Sequence, residues 1–424
     1  MVVLFGVFFL FLIVGVPIFM ALGLSSLAYT HFISGVPDFV VLHRMAGGVD
    51  SFPLLAVPFF ILAGNLMNSA GITNRIFAFA TAAVGWLRGG LGHVNVVGSV
   101  IFAGMSGTAV ADAGGLGTIE IKAMRDHGYP TNFSVGITAA SSTIGPIIPP
   151  SLPMVVFGVM ANASIGQLFA AGFVPGLLMA ASLMIYTTWY ARRHGIGSDQ
   201  AFRWYELGRS LIDAIPALMT PALIIGGMTF GWFTPTEAAI AACFWALILG
   251  ALLYRTLTWK QFYKITLDTI ETTAAVLLIV GAASLFGWVL TTTQVTEKFS
   301  ALLLSISDNP LIILLIINVL LLIVGCFMET IAAISILVPV LMPVVLKVGI
   351  DPVQFGVIMV LNLMIGLLTP PVGMVLFILA RVANIPFDRT VKAVSPFLIP
   401  LLVVLLLISA FPELTLAVPK YFYR

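Results

Sequence analysis

Two stretches put oxygen-bearing side chains next to helix breakers in a chain otherwise apolar enough for lipid. The first runs Gly104-Met105-Ser106-Gly107-Thr108-Ala109-Val110-Ala111-Asp112-Ala113-Gly114-Gly115, and the second Ala140-Ser141-Ser142-Thr143-Ile144-Gly145-Pro146-Ile147-Ile148-Pro149-Pro150. A helix in hydrocarbon satisfies its own backbone, so a break at that depth is tolerated only inside protein or beside a watery cavity. Freed carbonyls and hydroxyl oxygens are what a hard cation needs. Ser106, Thr108, Ser141, Ser142 and Thr143 are candidate ligands, with the carbonyls at Gly145 and Gly366. The bland reading of each hydroxyl is helix packing. These residues alone do not separate sodium from a proton. Among the acids, Asp112 and Glu329 are the two expected within the membrane, at roughly corresponding places near two turns. A buried acid marks a pathway, relay or substrate contact. The plainer alternative is a carboxylate capping a helix N-terminus. Arg381 reads as a snorkelling side chain, or as a contact to an anionic substrate.

The punctuation repeats. Gly325 opens Gly-Cys-Phe-Met-Glu-Thr-Ile-Ala-Ala, and Gly366 opens Gly-Leu-Leu-Thr-Pro-Pro-Val-Gly. The two Pro-Pro pairs, Pro149-Pro150 and Pro370-Pro371, follow Gly145 and Gly366 at one interval. A shift of 221 positions pairs Gly104 with Gly325, Gly128 with Gly349 and Pro175 with Pro396. Matching breaks in two halves point to a transporter's midplane site.

The elements that must position these groups are membrane helices. Apolar residues are 60% of the chain and charged ones 8%, against about 25% charge in soluble domains; mean hydropathy is +1.13. At about 20 residues per span, 424 residues allow roughly a dozen crossings. A net charge of +2 implies no nucleic-acid partner. Cys243 and Cys326, far apart in apolar runs, read as core residues. No removable signal peptide is evident, and a bacterial inner membrane is the expected home.

Taken in order, residues 2–29 read as two short helices around Gly15-Val16-Pro17, and 32–51 as a polar loop. A short span follows at 53–67 and an amphipathic arm at 74–88. Residues 93–122, with Arg88, Lys122 and Arg125 at their flanks, read as a re-entrant hairpin entering from the cytoplasm. Two crossings fit 127–191, the first broken at 141–150. Arg192, Arg193, Arg203 and Arg209 mark a cytoplasmic loop. Thr234-Pro235-Thr236-Glu237 reads as a capped helix start, which gives Glu237 a structural role. Spans follow at 272–290 and 394–410, with a second hairpin at 310–346 and a second broken helix at 353–380. The second hairpin lacks basic flanks and is placed on the periplasmic side. The fold class is therefore all-α and polytopic: an inverted repeat with two re-entrant hairpins and two discontinuous helices.

Gly104–Gly115, Ser141–Pro150 and Gly366–Gly373, with Gly15-Val16-Pro17 and Trp232-Phe233-Thr234-Pro235-Thr236-Glu237, make the whole chain resemble the large membrane subunit of tripartite ATP-independent periplasmic (TRAP) transporters. The resemblance implies an elevator-type, ion transporter superfamily-like fold and sodium-driven uptake of an organic acid such as a C4-dicarboxylate or sialic acid. It implies Na+ as coupling ion with no other cofactor, a small four-helix membrane subunit, and a periplasmic substrate-binding protein. Carried onto this chain, one sodium site lies between Ser106, Gly107 and the Ser141, Ser142, Gly145 break. A second lies between Thr330 and the Gly366, Thr369, Pro370 break. Substrate lies between them, near Thr108, Asp112 and Glu329. The implied units are 1–91 and 191–309 as scaffold with arms, and 92–190 and 310–424 as transport units.

A stand-alone symporter of the same fold is the neighbouring alternative. An intramembrane serine protease is the enzyme alternative, since Gly104-Met105-Ser106-Gly107 matches a rhomboid-type pattern. Its histidine base is missing, because His127 and His194 lie in charged or loop contexts.

Overall fold

The computed structural model describes residues 2–69, 71–198 and 201–423, apart from the side chains of 104–106. It is helical throughout. Helices α1 (Val2–Val14) and α2 (Ile18–Tyr29) are separated at Gly15, whose φ of +85° suits glycine. Then come α3 (Asp38–Val49), α4 (Ala56–Ser69) and the arm α5 (Ile72–Val84). The first hairpin is α6 (Gly90–Ser106) returning as α7 (Ala109–Gly114) and α8 (Leu116–Asp126). The first discontinuous helix is α9 (Thr131–Ser142) and α10 (Leu152–Ala161), followed by α11 (Ile165–Arg193).

The second half opens with α12 (Trp204–Thr229), α13 (Pro235–Leu247) and α14 (Trp259–Thr292). Its arm is α15 (Val295–Leu304), and its hairpin is α16 (Pro310–Phe327) with α17 (Thr330–Lys347). The second discontinuous helix is α18 (Pro352–Gly366) and α19 (Met374–Ala383), then α20 (Phe387–Ala410) and α21 (Glu413–Phe422). Among the described residues, eight helical segments are long and apolar enough to cross a membrane. Thr234 and Glu237 form the expected capping box at the start of α13.

Four stretches differ from the sequence expectation. Residues 38–49, expected as loop, are helical. Their glycines and charges hide a helix that lies on α14, with Gly48 against Ser284 and the Arg44 guanidinium 5.1 Å above the Trp288 ring. Helix α14 starts at Trp259 rather than 272, because Thr258 and Gln261 form a second capping box. Helix α20 starts at Phe387, and the tail folds as α21 against α11.

The halves interlock by exchange. Helix α9 packs on α20, and α11 on α18; α10 packs on α17, and α19 on α7 and α8. Arms α5 and α15 lie on hairpin helices α6 and α17. Orientation follows from one bond. Arg125, at the base of the first hairpin, donates to the Ala383 carbonyl at 2.6 Å, at the far end of α19. The near end of that discontinuous helix, Pro352, follows the base of the second hairpin by a few residues. The two hairpin bases therefore sit at opposite ends of one discontinuous helix, as an inverted repeat requires.

The α9–α20 contact is close because Gly136 has no side chain: a Cβ there would strike the Ala393 carbonyl and the Phe397 ring. Gly136→Ala is expected to cost about 1–3 kcal/mol as overpacking, read as a lower melting temperature of the purified protein in detergent. An unchanged melting temperature would show that this contact is loose.

Candidate functional site

Each hairpin tip meets the break of its own half. At the first tip, Gly107 has φ +61° and is buried. A Cβ on it would lie 3.0 Å from the Pro150 carbonyl oxygen. At the second, a Cβ on Gly366 would lie 2.6 Å from the Gly325 Cα. The backbones there touch because both positions are glycine. The Gly373 amide adds a bond to the Cys326 carbonyl at 3.2 Å.

Residues 143–151 are all buried. The Ser141 hydroxyl donates to Asn95 Oδ1 at 2.6 Å, Ser142 to the Ala139 carbonyl at 2.8 Å and Thr143 to the Ala140 carbonyl at 2.6 Å. Each proton is thus spent locally, and among the described residues no donor takes the oxygen lone pairs. Ser151 caps α10 and also donates to the Pro146 carbonyl. The Asp112 side chain is 2% exposed and lies against Gly145, where a Cβ would be 2.7 Å from Oδ2. The side chain of Ser106 lies outside the described residues.

The second break is more open. Gly366 is buried and its carbonyl accepts from the Thr369 amide at 2.9 Å. Thr369 is half-buried, Pro370 exposed, and the Thr369 hydroxyl donates to the Ile365 carbonyl at 2.9 Å. Thr330 is 2% exposed, and its Oγ1 has no hydrogen-bond partner among the described residues.

Glu329 caps α17, accepting from the amides of Ile331 at 2.9 Å and Ala332 at 3.2 Å. Thr108 caps α7, accepting from the Ala111 amide at 3.3 Å. The two occupy the same place in the repeat, so the counterpart of Glu329 is Thr108 and not Asp112. Thr108 and Gly107 also line a cavity of about 220 Å³ with Asn65, Asn68, Pro150 and Thr272. It lies where α4 and α14 face the first tip. Neither Asp112 nor Glu329 lines it. A larger cleft of about 490 Å³, lined by Ser51, Asn162, Phe233 and Tyr423, involves none of the expected site residues.

Two buried networks escaped the sequence reading. Asn95 links Glu120, Thr138 and Ser141 in the first half. In the second, Asn362 donates to the Asn318 carbonyl and Oδ1, both at 3.0 Å, and Asn318 donates to Ser409 at 3.0 Å. In each, a hairpin asparagine is tied to its discontinuous helix. Asn362 takes the repeat position of Ser141. An amide or acid inside an apolar run is the signal that marks them in the sequence. His127 and His194 bond to carbonyls within their own helices, at Ala123 and Tyr190, and supply no base to the first tip.

The family model described as the DctM component of the tripartite ATP-independent periplasmic transporter matches residues 5–414. The sialic acid TRAP transporter large permease protein SiaM of Vibrio cholerae is 48% identical over 97% of this chain and 96% of that one. The C4-dicarboxylate TRAP transporter large permease protein DctM of Pseudomonas aeruginosa is 38% identical over 88% and 87%. In fold, the crystal structure of the YdaH transporter of Alcanivorax borkumensis matches with a TM-score of 0.64 at 14% identity, covering 92% of this chain and 97% of that one.

Equal substitutions at the two breaks are expected to differ. A methyl at Gly145 meets the end of a side chain, whereas one at Gly366 meets backbone. Gly366→Ala should therefore destabilise the protein more than Gly145→Ala, by about 1–3 kcal/mol, read as the larger drop in melting temperature. Equal effects would contradict the backbone contact.

Proposed function

The chain belongs to the DctM-component family of tripartite ATP-independent periplasmic transporters, and on that premise we propose that it imports a small organic carboxylate coupled to sodium. It is a multi-pass protein of the bacterial inner membrane and a transporter permease, not an enzyme. In the proposed assembly, a periplasmic binding protein delivers the substrate, and a four-helix membrane subunit joins the scaffold. The relatives named for sialic acid and C4-dicarboxylates support a carboxylate cargo. The 220 Å³ cavity, below the roughly 300–1,000 Å³ of drug-sized sites, suits a small polar ligand held by amide and hydroxyl groups.

The observation that carries this reading is the seating of each hairpin tip in a helix break lined by buried oxygens. If each discontinuous helix crosses the bilayer once, its break lies near mid-depth. A tip packed there belongs to a hairpin that enters and leaves on one side. Sodium then sits beside Gly107, Ser141, Ser142 and Gly145, and a second ion beside Thr330, Gly366 and Thr369. Substrate sits at Thr108, in the cavity beside the first tip. Asp112, which lines no part of the cavity, acts from behind the tip.

Packing supports an elevator. Helices α3, α4, α12, α13 and α14 pair among themselves, as do the discontinuous helices with both hairpins, α11 and α20; α14 also packs on α17 across the divide. The second group is the proposed moving unit. The cavity lies on the boundary, as a cargo site carried past a scaffold must.

Uptake of sialic acid and of C4-dicarboxylates by proteoliposomes holding both membrane subunits, with the binding protein outside, tests this. Uptake should require an inward sodium gradient, and Ser141→Ala should raise the sodium concentration for half-maximal uptake about tenfold, as loss of one oxygen contact implies. Undiminished uptake in potassium would overturn the sodium reading. Uptake without binding protein would favour the stand-alone symporter.

A further inference from the structure

Behind the first break lies a buried acid that the transport reading does not use. Glu120 is 1% exposed, and Asn95, Thr138 and Ser141 are no more exposed. Asn95 Nδ2 donates to Glu120 Oε2 at 2.6 Å and to Thr138 Oγ1 at 2.7 Å. Its Oδ1 accepts from Ser141 at 2.6 Å. Glu120 Oε1 has no hydrogen-bond partner among the described residues. It points into the space left by Gly98, where a Cβ would lie 3.1 Å away.

No cation pairs with Glu120 among the described residues. Helix α8 packs on α6, α7, α9 and α19. Helix α7 brings Asp112, a carboxylate that acts on Glu120 through space. Helix α9 carries no ionisable residue. On α6, His93 is turned to Thr188, and on α19 Arg381 is exposed. On α8 itself Lys122 and Asp126 are exposed, and Arg125 is engaged by Ala383. A lone carboxylate so placed is costly to keep ionised.

We propose that Glu120 is a proton-binding site whose occupancy is relayed through Asn95 to Ser141, so that a proton and the cation at the first break compete. The inference rests on the reading of Ser141 as a sodium ligand. An amide has an oxygen end and a nitrogen end of like shape. With Glu120 ionised, Asn95 turns its NH2 to the carboxylate, and Ser141 donates to the amide oxygen. The amide then takes neither lone pair of Ser141. With Glu120 protonated, its O–H donates, and the amide offers its oxygen to Glu120 and Thr138. A separation of 2.6 Å suits that O–H···O bond. The amide NH2 now donates to Ser141, whose own proton goes to the Thr138 carbonyl, 3.2 Å away. A serine oxygen that already accepts an N–H is a poorer sodium ligand. One proton from solvent thus enters as one sodium leaves.

The test is the sodium-dependent rise in melting temperature of the full chain in lipid nanodiscs, titrated with sodium chloride against potassium chloride. Below the pKa of the site, the sodium midpoint should rise about tenfold per pH unit as pH falls. In Glu120→Gln it should not move with pH. Sodium added to weakly buffered wild-type protein should also release protons, which decides the matter if the variant does not fold. A wild-type midpoint constant in pH, a variant with unchanged pH dependence, or no proton release would overturn the proposal and leave the sodium reading standing. Loss of any sodium effect at every pH would overturn that reading, and this inference with it.

Discussion

Hydrocarbon offers no hydrogen bonds, and everything distinctive here follows from breaking helices under that constraint. Nine residues of irregular backbone at 143–151 are fully buried, so their polar groups must find partners within the protein. Ser151, Pro146 and the turn bonds around Ile144 supply several. The tip at Gly107 closes the remaining space. The break needs the hairpin as a cover, and the hairpin tip needs the break as a seat. Oxygen-rich junctions are a by-product of that mutual requirement, and the proposed ion sites use them.

The two halves meet the constraint with different chemistry. In the first, serines and threonines crowd the break, and one asparagine gathers them around an acid. In the second, hydroxyls are scarce, and the amides of Asn318 and Asn362 hold the hairpin to its partner. At the two caps the roles reverse: a threonine serves the first hairpin and a glutamate the second. The repeat preserves where polar groups stand, more than which groups they are. The half-open second break, with Pro370 and Pro371 exposed, adds a difference in access to the difference in chemistry.

Much of this was legible in the residues. Glycine and proline announce breaks because their backbone limits are local, so both hairpin tips and both discontinuous helices fell where the punctuation put them. The membrane class followed from composition, and the Thr234 cap from four adjacent residues. What stayed hidden depends on contact between distant segments. Helix α3 looked like loop because its glycines serve close packing on α14, not turning. Glu120 sits near Lys122 and Arg125 in sequence and reads as part of a charged flank. Only the fold shows it turned inward to Asn95. The repeat shift itself sets Thr108, four residues before Asp112, opposite Glu329, and both cap a hairpin helix.

The proposed transport needs both tips to stop at the breaks, halfway through the bilayer. An experimental structure of the chain in lipid nanodiscs with sodium, with the bilayer boundaries visible, measures this directly. The account predicts Gly107 and Gly325 near mid-depth, against Pro150 and Gly366, with an ion at each junction. Tips at the membrane surfaces, on hairpins whose helices cross completely and stand clear of the breaks, would contradict it.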